Sequence, residues 1–102
     1  MGIDVRTQTE NGEKLSEWGD PQNRTKALLP SYSDSSSYCL RFVDRFGDVI
    51  FNQLQIPFLI SELRRQLEKI EDRATRNHGE AVLRLVESVE GKVHVYVRFI
   101  GD

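Results

Sequence analysis

The stretch 40-LRFVDRFGDVIFNQLQIP-57 decides how this chain is read. From Tyr38 to Val43 the residues alternate. Tyr38, Leu40 and Phe42 fall to one side and Cys39, Arg41 and Val43 to the other, the period of a half-buried strand. Asp44-Arg45-Phe46-Gly47 then fits a type I turn closed by a glycine at positive φ. Val49 to Asn52 reads as the returning strand, with Val49 and Phe51 on one face. Pro57 suits the first position of a helix, where its missing N–H costs nothing. The stretch therefore predicts a hairpin followed directly by a helix. The chain closes on 97-VRFIGD-102, which echoes Arg41-Phe42-Val43-Asp44. The echo raises the question of whether the two acidic strand ends meet.

Working outward, Ile3, Val5 and Thr7 alternate with Asp4, Arg6 and Gln8, a strand pattern. Asn11-Gly12 predicts a type I′ hairpin turn, with Lys14 to Trp18 returning and Leu15 as its apolar anchor. Asp20 and Pro21 read as cap and first residue of a short helix running through Leu28 and Leu29. The serine-rich 31-SYSDSSS-37 reads as a mobile loop. After Pro57, residues Ile56, Leu59, Ile60, Leu63, Leu67, Ile70 and Ala74 share one helical stripe. Arg64, Arg65, Glu68, Glu71 and Asp72 oppose it, and Asp72 and Arg76 form an i,i+4 pair. Asn77-His78-Gly79 reads as a helix break. A second helix follows from Glu80 to Glu90, facing inward with Val82, Leu83, Val86 and Val89 and capped by Gly91. Lys92 to Ile100 reads as a long strand, with Val93, Val95, Val97 and Phe99 on one face and His94, Tyr96, Arg98 and Ile100 on the other. The order ββ(α)ββααβ predicts one α+β domain over residues 1–102. Its sheet is mainly antiparallel, of about five strands, with a helical pair on one face.

Composition narrows the function. The chain has 102 residues, room for one modest core. Its 14 Lys and Arg against 16 Asp and Glu are mixed along the chain, giving a net charge of -2. No basic patch marks a nucleic-acid binder. No run of about 18 apolar residues marks a membrane span. The opening MGIDVRTQTE has no apolar signal-peptide core, and a lone cysteine forms no internal disulfide. Together these predict a cytoplasmic protein.

Asp44, Asp48 and Asp102 lie at predicted strand ends. If the last strand ran parallel beside Tyr38–Val43, they would gather into a carboxylate site for Mg²⁺ or Ca²⁺. Otherwise Asp44 and Asp48 are turn chemistry. Cys39, His94 and His78 show no third member of a nucleophilic triad and no zinc-ligand spacing. The glycines form no phosphate-binding motif. The reading therefore assigns no catalytic residue, no metal and no cofactor. Arg45 and Phe46 at a turn tip, between Asp44 and Asp48, have the aromatic and arginine character of interface anchors. Tyr96 and Arg98 add a second candidate surface on a sheet face left open by the helices.

The run L-R-F-V-D-R-F-G-D-V-I-F-N-Q-L-Q-I-P, with 1-MGIDVR-6 and the closing V-R-F-I-G-D, resembles a family of small bacterial α+β proteins with no assigned activity. In size and layout alone the chain is similar to immunity proteins that neutralise bacterial toxins, a fold-level analogy. These readings give a non-catalytic protein-binding module, of immunity or antitoxin type, with a basic protein as partner. The alternatives are a small metal-dependent enzyme using the acidic cluster, and a homodimer joined through the open sheet face.

Overall fold

The computed structural model describes residues 2–101. Four strands, β1 (Ile3–Thr9), β2 (Lys14–Trp18), β3 (Asp48–Phe51) and β4 (Val95–Gly101), form one sheet in the order β2-β1-β4-β3, antiparallel throughout. Two helices, α1 (Ile56–Leu67) and α2 (Arg73–Glu87), lie between β3 and β4 in sequence. Alternation works as expected in β1 and β4. Ile3, Val5, Thr7, Val97 and Phe99 are buried against the helices, while Asp4, Arg6, Tyr96, Arg98 and Ile100 turn to the other face. Phe51 of β3 packs edge-to-face on Phe99 at 5.8 Å between ring centroids. Ile56, Leu59, Ile60, Leu63 and Leu67 of α1 and Val82 and Val86 of α2 close the same core.

The predicted fifth strand does not form. Residues Leu40–Phe42 make a single 3₁₀ turn, with Phe42 N–H donating to Cys39 O and Val43 N–H to Leu40 O. The N–H groups of Tyr38, Cys39 and Leu40 all point at the Glu62 carboxylate of α1. Donors spent there cannot build a sheet ladder, so the alternating pattern is overruled by one buried acid. Asp44–Gly47 is consequently not a hairpin tip but the turn that leads into β3. Gly47 does not adopt positive φ. A Cβ there would sit 2.9 Å from Asp44 Oδ2, so the glycine makes room for a carboxylate. The short helix after Pro21 is also reduced, to a 3₁₀ turn over Thr25–Leu28.

The first hairpin forms with a different turn. Only Gly12, at φ 86°, is left-handed. Gly12 N–H donates to Thr9 O, and Thr9 N–H to Glu13 O, the three-residue loop of a type I turn closed by a glycine bulge. The register slips between Thr7 and Gln8, leaving Leu15 without a partner. Leu15 is 54% exposed and anchors nothing. A bulge and the charged Lys14 and Glu17 are features that protect an edge strand from unwanted pairing.

The helix boundary also moves. The chain breaks between Leu67 and Arg73, not at Asn77-His78-Gly79. Asp72 caps α2, accepting from Thr75 N–H at 2.8 Å and Thr75 Oγ1 at 2.6 Å. It therefore does not pair with Arg76, whose guanidinium donates to Ile70 O. Ala74 is exposed, while Gly79 is buried inside α2. A Cβ on Gly79 would lie 2.5 Å from Leu67 Cδ2 and 3.0 Å from Leu28 Cδ2. The glycine that looked like a breaker is the point of closest approach between α2, the end of α1 and the Thr25–Leu28 turn. At the other boundary Asn52 and Gln55 bond reciprocally: Asn52 Oδ1 accepts from Gln55 N–H, and Gln55 Oε1 from Asn52 N–H. That capping box opens a turn at Gln53, four residues ahead of Pro57 and directly before α1. The last strand is shorter than expected because His94 adopts φ 62°, which leaves Val93 62% exposed.

Gly79→Ala gains up to about 1 kcal/mol of helix propensity and loses about 1–3 kcal/mol by overpacking two leucines. Urea denaturation should show a net loss of about 1 kcal/mol for Gly79→Ala and a larger loss for Gly79→Val. A gain in stability for Gly79→Ala would show that the contact is slack.

Candidate functional site

The site is built on Glu62. This residue lies at i+3 from Leu59 on α1, inside the apolar stripe, and is 3% exposed. Its Oε1 accepts from Ser37 Oγ at 2.6 Å and Leu40 N–H at 3.1 Å. Its Oε2 accepts from Tyr38 N–H at 2.8 Å and Cys39 N–H at 3.1 Å. Arg41 N–H donates to Ser37 Oγ at 3.0 Å. Converging backbone N–H groups make a concave nest that offsets the cost of burying an anion. The spacing Leu59, Glu62, Leu63, Gln66 was the signal available in the sequence. A carboxylate at a core position of a helix requires donors from another segment.

Past the nest the chain carries its aromatic side chains outward. Tyr32 and Phe42 meet edge-to-face at 6.1 Å, and the Arg41 guanidinium lies 4.7 Å from the Phe42 ring centroid. Phe46 is 82% exposed. These residues, with Pro30, Asp44 and Arg45, line a groove of about 460 Å³. Asp44 Oδ1 accepts from Phe46 N–H at 2.9 Å, a local Asx bond that fixes the turn. The nest fixes the backbone that leads into Arg41 and Phe42, the Asx bond fixes the turn that carries Phe46, and Tyr32 joins the rim through its contact with Phe42.

The expected site residues divide into two groups. Asp44, Arg45 and Phe46 line the groove. Asp48 and Arg98 instead bond each other across β3 and β4, Arg98 Nε donating to Asp48 Oδ2 at 3.0 Å with Nη2 on the same oxygen. Tyr96 shares the sheet face with Arg98, beside a shallow depression that Leu54 and Val93 also line. The two strand ends do meet through the backbone. Gly101 N–H donates to Gly47 O at 2.8 Å, and a Cβ on Gly101 would collide with the Asp44 and Arg45 main chain at 2.5–2.6 Å. Strands β3 and β4 are antiparallel, so the contact joins the end of one to the start of the other. Asp102 lies outside the described residues. Among the described residues, no three His, Cys, Asp or Glu side chains group to hold a metal. Periodicity hid the place of Arg41 and Phe42 at this groove from the sequence reading, because it put both inside a strand.

The cysteine and histidines are separate. Cys39 is buried, its Sγ donating to Gln55 O at 3.7 Å. His94 pairs with Glu10 at 3.1 Å. His78 accepts from Trp18 and bonds Thr25. A second apolar surface is formed by Tyr38, Leu54 and Phe58, where Tyr38 and Phe58 meet edge-to-face at 5.7 Å.

Comparison with protein-family models, with curated proteins and with solved structures returns no match for this chain.

Burial, and then the neighbouring Glu62 carboxylate, push the Cys39 thiol up to about 12. A raised pKa stabilises the fold below the unfolded value near 9 and loses that contribution as pH rises toward 12. At pH 8 the thiolate needed for alkylation is strongly suppressed relative to a free thiol. Iodoacetamide should therefore label native Cys39 at least about a hundredfold slower than urea-unfolded chain. Equal rates would contradict this placement.

Proposed function

We propose that the chain is a non-catalytic protein-binding module whose contact surface is the rim formed by Tyr32, Phe42 and Phe46 with Arg41 and Arg45. The observation that carries this reading is that exposed aromatic side chains line one groove beside the backbone that Glu62 holds at Tyr38 to Leu40. Aromatic and arginine residues supply most of the binding energy at protein interfaces. A contact surface ordered before binding spares the entropy of ordering it on binding. An inhibitor of immunity type, which works by masking a surface of its target, is the specific form this reading takes.

The chemistry near the groove refines the expected partner. The net charge of -2 suits a basic protein at long range. At the groove itself Arg41 and Arg45 stand with Asp44, whose carboxylate accepts from Phe46 N–H, while Arg41 Nη1 donates to Asp34 O and leaves Arg45 as the more available cation. The direct contact therefore suits an apolar side chain flanked by an acidic one. Asp48, Tyr96 and Arg98 are secondary. Asp48 and Arg98 satisfy each other, and Arg6 and Glu17 do the same at 2.8 Å, so these charges of the open sheet face are spent within the chain. Asp44 and Asp48, the described members of the acidic cluster, are likewise engaged by partners within the chain.

Photo-crosslinking from position 46 in the native cell identifies the partner, and the variants then test the surface. Phe42→Ala and Phe46→Ala should each weaken binding by about tenfold or more, with far-ultraviolet circular dichroism unchanged. Leu15→Ala, on the distant edge strand, should bind as the parent does. Binding that survives both phenylalanine substitutions would refute the proposed surface.

A further inference from the structure

His78 sits where α2 meets the edge strand β2 and the segment that follows it. Trp18 Nε1–H, from the end of β2, donates to His78 Nδ1 at 3.1 Å. His78 Nε2 lies 2.8 Å from Thr25 Oγ1, and Thr25 Oγ1 donates to Ile3 O at 2.8 Å. The indole nitrogen is a donor only, so Nδ1 must be the bare nitrogen. The Thr25 hydroxyl proton is committed to Ile3, so Nε2 must carry the hydrogen. The neutral Nε2–H tautomer is the single state that satisfies every bond in this chain of contacts.

Protonation is incompatible with the arrangement. An imidazolium carries hydrogens on both nitrogens, which would set Nδ1–H against Trp18 Nε1–H with no acceptor between them. The Nε2 side tolerates the charge, because Asp20 Oδ1 lies 3.6 Å from it. That carboxylate is already committed, accepting backbone N–H groups from Ile3, Arg24 and Thr25 at 3.0, 2.6 and 3.0 Å. The strain of protonation therefore falls on the Trp18 side.

We infer that His78 is the catch of a pH-sensitive latch: a proton taken from solvent at Nδ1 breaks the bond to Trp18 and releases the end of strand β2 from α2. Strand β2 is the element the latch would free, because it is an edge strand exposed along its whole length. Its remaining side-chain ties to β1 are the Thr7–Ser16 hydroxyl bond and the Arg6–Glu17 pair. The indole forms one wall of an open groove of about 520 Å³ that it shares with Arg24, Ala81 and Arg84, so its release reshapes that groove.

The charged groups around the ring agree with the direction. Burial pushes the imidazole below its ordinary range; Asp20 opposes that shift and Arg24 adds to it. Arg84, one and a half turns further along α2, lines the same groove and brings a second positive charge. Asp4 lies behind Asp20, whose N–H it accepts at 2.8 Å. A histidine pKa lowered by folding makes the latched state complete above about pH 6.5 and loses it as pH falls through the lower folded value.

Trp18 is the chain's single tryptophan, so its fluorescence reports the latch directly. As pH falls from 7.5 through the His78 titration, the emission of the parent protein should shift to the red and acrylamide quenching should rise. The midpoint should match the His78 titration followed by ring-proton NMR, and far-ultraviolet circular dichroism should hold steady. In His78→Gln, which cannot titrate, the fluorescence transition should vanish. In Trp18→Phe, which removes the indole donor, the His78 midpoint should move toward higher pH. The latch is overturned by any of three results: His78 titrates with no change at Trp18, the transition persists in His78→Gln, or circular dichroism is lost with the same midpoint.

Discussion

The carboxylate of Glu62 is the constraint on which the rest of the surface depends. An acid at 3% exposure must be compensated, and here the compensation comes from one hydroxyl and the successive N–H groups of Tyr38, Cys39 and Leu40. Charge-assisted bonds of this kind are shorter and about twice as strong as neutral ones. They decide between two outcomes for the same residues. Without the acid, the alternation from Tyr38 to Val43 favours a strand. With it, the donors are taken, the chain turns, and Phe42 joins Tyr32 and Phe46 at the surface instead of filling a sheet.

Asp20 solves the same problem at the other end of the irregular region. It is 4% exposed and joins the start of β1 to the Thr25–Leu28 turn through three backbone N–H groups. Those bonds outweigh the burial that would raise its pKa and hold its carboxyl below the usual range. Between β2 and α1 the chain has little regular structure beyond β3. Buried main-chain polar groups there need partners that helices and sheets do not supply, and two acids provide many of them. The His78, Thr25 and Trp18 contacts extend the Asp20 system to α2 and to the sheet edge.

What the sequence made legible follows from which forces are local. The alternation in Ile3–Thr9 and in Val95–Gly101, and the apolar stripe from Ile56 to Leu67, report burial directly, and those elements form. The α+β class and the placement of both helices on one sheet face follow from them. The corrections come from contacts that periodicity does not encode, tertiary at Glu62 and Gly79 and a local cap at Asp72. Glu62 cancels the strand at Tyr38–Val43, Asp72 starts a helix where a continuous stripe ran through Ala74, and Gly79 stays helical because two leucines press on it. Phe46 could be found from its place at a turn. Arg41 and Phe42 could not, since the pattern that concealed them was a valid strand pattern until Glu62 was taken into account.

The surface therefore depends on Glu62 holding the 37–46 segment in place. The direct measurement is amide hydrogen exchange at Tyr38, Cys39 and Leu40 in Glu62→Ala against the parent protein, with Val5 and Val97 as reference positions in the sheet. The account predicts that the three loop amides lose protection by at least about tenfold more than the references, as expected when each loses an acceptor worth about 1–3 kcal/mol. Unchanged protection at those three amides would contradict it.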